Sequence, residues 1–415
     1  MLPVRGHGSA LSRYRDVEGT VMTTSAKNRA LTERAAALVG LLRRNAARTE
    51  EDRRVAEENI EALADAGLFG ITVPERFGGH QASIRTLLEV SAELGRGCGS
   101  TAWTTTLSNV CGWLVGLYPE RAQREVFETD TAARVCSVLT PAGTSRAADG
   151  GQVITGRWPF ASGCLHARWA LLGMPVTGAS GEKPEQGLAL VPMDELKIED
   201  TWHMAGMRGT GSHTLVAEDV FVPAHRILSV TRALRGEYPT EFTDETLYRS
   251  AFVPVLASVL VGPQLGLARG GLELVTASLA KGRPISHTFY EQAREASSTQ
   301  TQIAEAAQLI DSAALHLMRA ADDIDGWAAR GQYMPLLERA RVRMDTATVA
   351  RRSREALDIL LNVHGAGSFA EANPLQRIWR DQETAARHAM TNPAITSELY
   401  GRALLGVEEQ VSALI

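Results

Sequence analysis

The sequence Gly156-Arg-Trp-Pro-Phe-Ala-Ser-Gly163 decides the fold class, because it lies within a series of short runs rich in β-branched residues. Glycine and proline separate these runs, and this pattern predicts a small β domain, a barrel or a sandwich, over residues 133–230. Side chains two positions apart on a strand face the same side of the sheet, so Trp158, Phe160 and Ser162 are expected to share one face. The runs are 135–139, 152–155, 169–176, 187–191 and 214–222.

Helical patterns fill the chain on both sides of this central region. Residues 27–132 predict an N-terminal helical domain, and residues 231–415 predict a C-terminal four-helix bundle, because long helices without internal breakers usually pack side by side. Residues 1–26 are expected to form a disordered or dispensable extension, with Met22 as an alternative start. The fold class is therefore α+β. Helices of the last region are predicted at 248–280, 291–330, 335–362 and 374–411.

The composition is that of an ordinary globular protein. The 415 residues are 44% hydrophobic and 22% charged, and a formal net charge of −5 offers no basic surface for nucleic acid. The four cysteines show no metal-ligand spacing, so no metal site is predicted. The longest apolar candidate, 252–260, is shorter than the ~18 residues that span a bilayer. Residues 1–25 contain no apolar core of a secretory signal, so a cytoplasmic protein is expected.

Several short sequences, each weak alone, form a specific set in their order along the chain. They are Ala66-Gly-Leu-Phe-Gly-Ile-Thr-Val-Pro-Glu-Arg-Phe-Gly-Gly79, Gly156–Gly163, Gly206-Met-Arg-Gly-Thr-Gly-Ser-His-Thr214, Glu218-Asp-Val-Phe-Val-Pro223, Gly262-Pro-Gln-Leu-Gly266 and Arg380-Asp381. The set resembles the acyl-CoA dehydrogenase superfamily over nearly the whole chain. The resemblance implies the fold of that family, with an N-terminal helical domain, a central β-barrel or sandwich and a C-terminal four-helix bundle. It also implies that the strand at Gly156–Gly163 packs against a flavin ring.

The catalytic glutamate of an acyl-CoA dehydrogenase is missing from both places where the superfamily can carry it. The first place reads Arg387-His-Ala-Met-Thr-Asn-Pro393, and the second, residues 251–260, contains no acid. Without a carboxylate the dehydrogenase reaction lacks its base. The chain is therefore more similar to the oxygenase components of two-component flavin monooxygenases. Members of this branch include 4-hydroxyphenylacetate 3-monooxygenase, steroid-ring phenol hydroxylases and aromatic polyketide hydroxylases.

This resemblance implies a reaction. Reduced FMN or FAD, supplied by a separate NAD(P)H:flavin reductase, would react with O2 to give a C4a-hydroperoxyflavin that hydroxylates an aromatic substrate. The expected substrates are phenols, including polycyclic polyketides of secondary metabolism. Ser162 is expected to hold a hydroxyl at flavin N5. His388, on a helix that Pro393 should end or kink, is expected to ionise the phenol and stabilise charge on the peroxide, with Asn109 as a hydrogen-bond partner.

The resemblance also implies further binding residues and a homotetramer built as a dimer of dimers. The chain has no G-x-G-x-x-G sequence at a flavin phosphate site, and Arg283 with the turn at 364–367 takes that place, since glycine lets the backbone approach an anion. The implied cofactor-binding residues are Trp158, Phe160, Ser162, Thr140, Arg283, His364, Gly365 and Gly367. The implied substrate-binding residues are Trp103, Asn109, Met207 and Arg208.

Three alternatives stay open at the level of the sequence. One is an acyl-CoA dehydrogenase or related oxidase with an unrecognised base, for which Glu383 is the nearest acid. Another is a nitrogen- or sulfur-oxidising enzyme of the same branch, since a flavin hydroperoxide also attacks those atoms. The third is a binding or assembly protein that keeps the fold without catalysis. The presence of Ser162 and of the glycine-rich turns argues against that third alternative.

Overall fold

The computed structural model describes residues 26–176, 185–407 and 409–415. The extension predicted over residues 1–26 lies, apart from Ala26, outside these described residues. The α-helices of the described residues are α1 (Ala26–Glu51), α2 (Glu57–Asp65), α3 (Ile84–Gly95), α4 (Gly99–Gly116), α5 (Glu120–Phe127), α6 (Val230–Ala233), α7 (Phe252–Ser258), α8 (Gly262–Ala280), α9 (Ser297–Ala329), α10 (Leu336–His364), α11 (Pro374–Ala385) and α12 (Pro393–Leu405).

Helix α4 is the central element of the N-terminal helical part. Its sequence contains no charged residue, and its side chains are buried along nearly its whole length. The preceding helix α3 begins at Ser83, whose side chain accepts a hydrogen bond from the backbone N–H of Thr86. Both α3 and α4 pack against α8 of the C-terminal part. Because α4 also contacts the first strand of the β domain, it can carry side chains to a site between all three parts.

The central region is a sandwich of two four-stranded sheets, in the orders β1-β4-β5-β8 and β2-β3-β7-β6. A separate hydrophobic core that includes Trp158 fills the space between the sheets. The sandwich form of the prediction is therefore the observed one, and the sheets keep separate edges. The sequence runs missed the short strands β2, β6 and β8. The strands are β1 (Val135–Val138), β2 (Thr144–Ala148), β3 (Gly151–Ala161), β4 (Trp169–Val176), β5 (Glu185–Pro192), β6 (Lys197–Glu199), β7 (His213–Pro223) and β8 (Ile227–Ser229).

Strand β3 is irregular at its end, and the prediction that Trp158, Phe160 and Ser162 share one face is wrong. The register of β3 against β7 shifts between Trp158 and Ala161, and Phe160 has a φ of 70°. Such a bulge breaks the alternation of side chains along a strand. Trp158 points into the sandwich, where it is fully buried and its indole N–H donates to the carbonyl of Gly173 at 2.7 Å. Phe160 points outward and is 64% exposed.

The C-terminal part is organised around α10, which packs against α8, α9 and α12. The predicted helix over 374–411 is two helices, α11 and α12, separated by a 3₁₀ turn at Ala389–Thr391. Proline is the first residue of α12, a position where its missing N–H costs nothing. His388 precedes the 3₁₀ turn and caps it. The prediction that His388 lies on a helix is therefore wrong, because α11 ends at Ala385.

One helical stretch of the described residues, Phe252–Ala280, is long and apolar enough to span a membrane, which the sequence analysis did not indicate. Its most apolar window is 94% buried inside the protein. The stretch comprises α7 and α8, which pack against α9, α10 and α3. Its apolar character is explained by its place in the core.

Candidate active site

Trp103 of α4 connects two residues that the sequence predicted to be catalytic. Its indole N–H donates to the hydroxyl of Ser162 at 3.2 Å. Its ring lies beside the imidazole of His388, with 6.2 Å between ring centroids and an interplanar angle of 54°. Ser162 follows β3, Trp103 lies on α4 and His388 follows α11. The three parts of the chain therefore meet at one place, which we call the Trp103 site.

A row of hydroxyl groups extends from Ser162 and has a defined direction. Ser162 Oγ lies 2.8 Å from Ser212 Oγ, and Ser212 Oγ lies 2.6 Å from Thr210 Oγ1. Thr210 donates its proton to the carbonyl of Met207 at 2.9 Å. Since a hydroxyl has one proton, Ser212 must donate to Thr210, and Ser162 to Ser212. Ser162 thus accepts from Trp103, donates to Ser212, and keeps one lone pair for a ligand.

Gly163 allows this row to form. Its φ is 77°, a conformation that favours glycine. A Cβ atom at this position would lie 2.7 Å from Cγ2 of Thr104 on α4. The backbone N–H of Gly163 donates to the carbonyl of Thr210 at 2.8 Å. The glycine therefore joins the end of β3 both to α4 and to the loop that carries Ser212.

His388 is neutral near pH 7. Its side chain is exposed to solvent, yet protein atoms surround it closely enough that burial, with the nearby Arg343 guanidinium, lowers the pKa of His388 to about 4. Its Nδ1 accepts a hydrogen bond from the N–H of Met390 at 3.3 Å. The neutral ring therefore carries its proton at Nε2.

An apolar wall lies next to His388 and Ser162. Trp103, Trp202, Met207, Leu260 and Ala385 form one buried cluster. The indole N–H of Trp202 donates to the carbonyl of Met207 at 2.9 Å. The wall also meets the outward-pointing ring of Phe160, which contacts Trp202 edge to face with 5.8 Å between centroids. Sequence reasoning missed Trp202 and Ser212, although both lie within or beside the glycine-rich segment that was recognised.

Asp381, on α11, holds the glycine-rich loop over residues 206–212 against that helix. Its carboxylate accepts a hydrogen bond from the backbone N–H of Met207 at 2.5 Å. Met207 has a φ of 53°, which is uncommon for a residue other than glycine. Burial raises the pKa of Asp381 to about 6, although the Met207 N–H acts in the opposite direction. A side chain on Gly206 would clash with the carbonyl of Arg380. The recognised pair Arg380-Asp381 therefore holds the loop of the Trp103 site in place.

The residues predicted at the flavin phosphates come together on another surface. Arg283 donates to the carbonyls of His364 at 2.8 Å and of Val363 at 2.6 Å, so it caps the end of α10. Burial and the Arg283 guanidinium lower the pKa of His364. Gly365 has a φ of 81°, and a Cβ atom there would meet no atom within 4 Å. The backbone at Gly365 therefore has open space beside it. The two terminal nitrogens of Arg283 already donate hydrogen bonds to the carbonyls of His364 and Val363.

Four further predicted residues have surroundings that the structure describes. Asn109 is completely buried, and its amide group bonds to the backbone of Leu68, of Thr105 and of Ile71. It cannot serve as the partner of His388, because its hydrogen bonds join α4 to the loop between α2 and α3. Arg208 donates to the carbonyls of Glu50 and Met204. Trp158 is internal, as described above, and Thr140 is exposed beyond the end of β1.

Glu383, the acid named for the dehydrogenase alternative, is unsuited to act as a base. It is paired with Arg354 at 2.8 Å and with Arg387. Burial opposes its ionisation, but the hydrogen bonds from the two arginines outweigh burial and lower the pKa of Glu383. A carboxylate held by two guanidinium groups is a weak proton acceptor.

Comparison with known proteins agrees with this fold. The N-terminal domain of acyl-CoA dehydrogenases matches residues 25–133, and the C-terminal domain matches residues 258–393. The oxygenase subunit HsaA of a flavin-dependent monooxygenase from Rhodococcus jostii is 32% identical over 90% of this chain and 98% of its own length. The oxygenase component of an FADH2-dependent resorcinol hydroxylase from Rhizobium sp. is 33% identical over 91% of this chain and 94% of its own length.

A solved structure extends the comparison to three dimensions. XiaF from Streptomyces sp., in complex with FADH2 and glycerol, is 34% identical with a TM-score of 0.86, over 93% of this chain and 97% of that chain. The chain belongs to the acyl-CoA dehydrogenase family. Within that family it is a flavin-dependent monooxygenase, of the kind that forms the oxygenase component of a two-component system. The dehydrogenase alternative is thereby set aside.

Proposed function

We propose that this oxygenase component hydroxylates phenols, including polycyclic polyketides, with O2 and with FMN or FAD reduced by a separate NAD(P)H:flavin reductase. The observation that carries the proposal is the indole of Trp103, which contacts both Ser162 and His388. Relatives named for resorcinol and p-hydroxyphenylacetate hydroxylation support the substrate class. When bound, the reduced flavin supplies the oxygen atom that comes from O2.

Ser162 is suited to hold the N5 edge of a reduced flavin. The hydroxyl row directs the proton of Ser162 toward Ser212, and Trp103 occupies one lone pair of its oxygen. The remaining lone pair can accept a hydrogen bond from the N–H at flavin N5. By holding a proton at that atom, Ser162 would limit the loss of the activated oxygen as H2O2, and the apolar wall around Trp202 would limit the water that could remove the proton.

His388 is suited to bind the hydroxyl group of a phenol and to favour its ionised form. At neutral pH its imidazole is uncharged, because burial and Arg343 lower the pKa of His388 to about 4. Nδ1 accepts a hydrogen bond from the Met390 N–H, so the proton of the neutral ring is on Nε2. Proton transfer from a phenol to His388 requires Nδ1 to be released or the tautomer to change. The alternative available without rearrangement is a hydrogen bond from Nε2–H to the phenol oxygen, which also favours the ionised phenol.

The remaining assignments belong to the same proposal. Phe160, exposed beside Trp202, would contact the flavin ring, and the open turn at Gly365 and Gly367 would receive its phosphates. Arg283 would support that turn through the carbonyls it caps. Met207 would contact the substrate through the apolar wall. The proposal also includes a cytoplasmic homotetramer.

A rapid-mixing experiment tests the function. The purified protein, with reduced FMN or reduced FAD, is mixed with oxygenated buffer while flavin absorbance is followed, and resorcinol or 4-hydroxyphenylacetate is then added. A long-lived oxygenated flavin that decays faster with a phenol, together with a hydroxylated product, supports the proposal. Free flavin at the same concentration serves as the control. Flavin reoxidation at the rate of free flavin, with either cofactor, would contradict it.

A further inference from the structure

Arg343 of α10 is a buried cation whose hydrogen-bond partners are backbone carbonyls. Only 3% of its surface is exposed. One terminal nitrogen donates to the carbonyl of Met390 at 3.1 Å, and the other donates to the carbonyl of Leu414. Its Nε atom has no hydrogen-bond partner among the described residues. No carboxylate in the described part of the chain forms an ion pair with it, and burial lowers the pKa of Arg343 to about 10.

The second partner of Arg343 belongs to the segment 409–415, which lies against α10 and α12. Ile415 is 6% exposed and packs with Ala340 and Leu399. Arg339, one turn before Arg343 on α10, donates to the backbone oxygen of Ile415 at 2.6 Å. Two arginines on one face of α10 therefore hold this segment. Only one of them, Arg343, also reaches the turn that carries His388.

Met390 transmits the contact to His388. Its carbonyl accepts from Arg343 at 3.1 Å, and its N–H donates to Nδ1 of His388 at 3.3 Å. A buried arginine without an anionic partner loses hydration that carbonyl groups replace only in part, so it is costly to retain. A functional role would explain why this buried charge is retained. The planar guanidinium group can hold two carbonyl groups in a fixed geometry.

We propose that Arg343 is a positioning residue for His388, and that it ties the His388 turn to the segment 409–415. The importance of this contact for catalysis rests on the proposed function, whereas the contact itself can be tested without substrate. Through Met390, Arg343 sets the direction of the imidazole toward Trp103. Through its charge, it adds to the effect of burial, which keeps that imidazole neutral.

The charges around His388 single out Arg343. Helix α4, which faces the imidazole through Trp103, contains no charged residue. On the side of α11, Arg387 is paired with Glu383. On α10, Arg343 is the charged group that acts on His388. Removing this cation should therefore raise the pKa of His388, while removing a more distant arginine of α10 should not.

Three variants distinguish the effect of the Arg343 charge, the effect of its hydrogen-bond geometry and the effect of the segment 409–415. Arg343→Met removes the charge and both hydrogen bonds, and Arg343→Lys keeps the charge but loses the two-carbonyl fork. Arg339→Met is the matched control, because it loosens the segment 409–415 without touching the His388 turn. The pKa of His388 is measured by NMR of ¹³C,¹⁵N-histidine protein, assigned with His388→Gln. Backbone hydrogen exchange of residues 386–395 is measured by mass spectrometry.

The expected results differ among the variants. In Arg343→Met the pKa of His388 rises by about one unit or more, and exchange over 386–395 becomes at least about tenfold faster. In Arg343→Lys exchange also rises, but the pKa of His388 stays low. Arg339→Met leaves both quantities unchanged. Should Arg343→Met fail to fold, the exchange measurement on Arg343→Lys decides the question.

Two results would overturn the proposal. One is unchanged exchange over 386–395 in Arg343→Lys. The other is a change in Arg339→Met as large as that in the Arg343 variants, which would assign the effect to the segment and not to Arg343. Neither result concerns flavin or phenols. An absence of hydroxylase activity in the unmodified protein would instead contradict the proposed function.

Discussion

Ser162 and His388 lie on opposite sides of Trp103, and the structure holds them by different means. Ser162 is held by uncharged groups, the indole of Trp103 and the hydroxyl of Ser212. The His388 turn lies over a buried guanidinium, Arg343, which has only carbonyl partners among the described residues. Hydrogen bonds between neutral hydroxyls change little with pH, whereas an imidazole beside a buried cation titrates far from its usual range. The Ser162 side is therefore expected to be insensitive to pH, and the His388 side to impose an acid limit.

The largest expected effect comes from His388→Ala. General acid–base groups contribute about 100- to 10,000-fold to a rate, so hydroxylation at pH 7 should fall at least about 100-fold. The melting temperature should change little, because the side chain is exposed. Product formation is measured by chromatography in single-turnover reactions. The control is His203→Ala, which changes a histidine that follows Trp202 and whose side chain is 64% exposed. Equal losses in the two variants would remove His388 from the mechanism.

Ser162→Ala should have a smaller effect, on coupling. Without the hydroxyl at N5, H2O2 release should increase, and the fraction of O2 that appears in product should fall roughly tenfold, the effect of about 1.4 kcal/mol. Ser212→Ala keeps the bond from Trp103 to Ser162 and should lower coupling less. Both are measured as the ratio of H2O2 to product. A larger loss in Ser212→Ala than in Ser162→Ala would contradict the direction assigned to the hydroxyl row.

The pH dependence of hydroxylation should distinguish the contribution of His388 from that of Ser162. His388 has its pKa lowered to about 4, so it is neutral above that value and becomes protonated as the pH falls through it. Protonation at Nδ1 would remove the acceptor of the Met390 N–H and so release the imidazole from its position. Hydroxylation should therefore be constant from pH 7 to about pH 5 and decline near pH 4. Ser162→Ala should retain this profile, and His388→Ala should lose it. A decline centred near pH 6.5 in the unmodified enzyme would contradict the lowering of the His388 pKa by burial and by Arg343.

The smallest expected effect concerns the bulge that directs Phe160 outward. Its φ of 70° is unfavourable for any residue except glycine. Phe160→Gly and Phe160→Ala both lose the contact with Trp202, but only glycine relieves the backbone. The glycine variant should therefore be more stable than the alanine variant by about 1 kcal/mol in urea unfolding. Greater stability of the alanine variant would indicate that the positive φ is not strained.

Much of the fold could be predicted from local patterns. The β-rich runs, the flanking helical segments and the missing glutamate were all readable, because each depends on residues close together in sequence. The recognised sequences also indicated the family, which the comparisons confirm. The roles of Asn109 and Arg208 were not readable. Whether an amide or a guanidinium serves a ligand or the backbone depends on which carbonyls the fold brings to it.

The errors at the site have one physical origin. The common face expected for Trp158 and Phe160 assumed an unbroken strand, whereas pairing with β7 inserts a bulge. The helix expected to carry His388 ends earlier, at Ala385. Strand pairing and helix termination of this kind depend on distant partners, and no window of sequence contains them.

By itself, the sequence determined the order of helical, β and helical regions, the loss of the dehydrogenase base and the family. Only the tertiary structure decided that Trp103 would join Ser162 to His388, and that Arg343 would lie beneath the His388 turn. The reason is physical. Hydrophobic periodicity and turn chemistry act within a few residues, whereas hydrogen bonds at a site connect groups that are far apart along the chain.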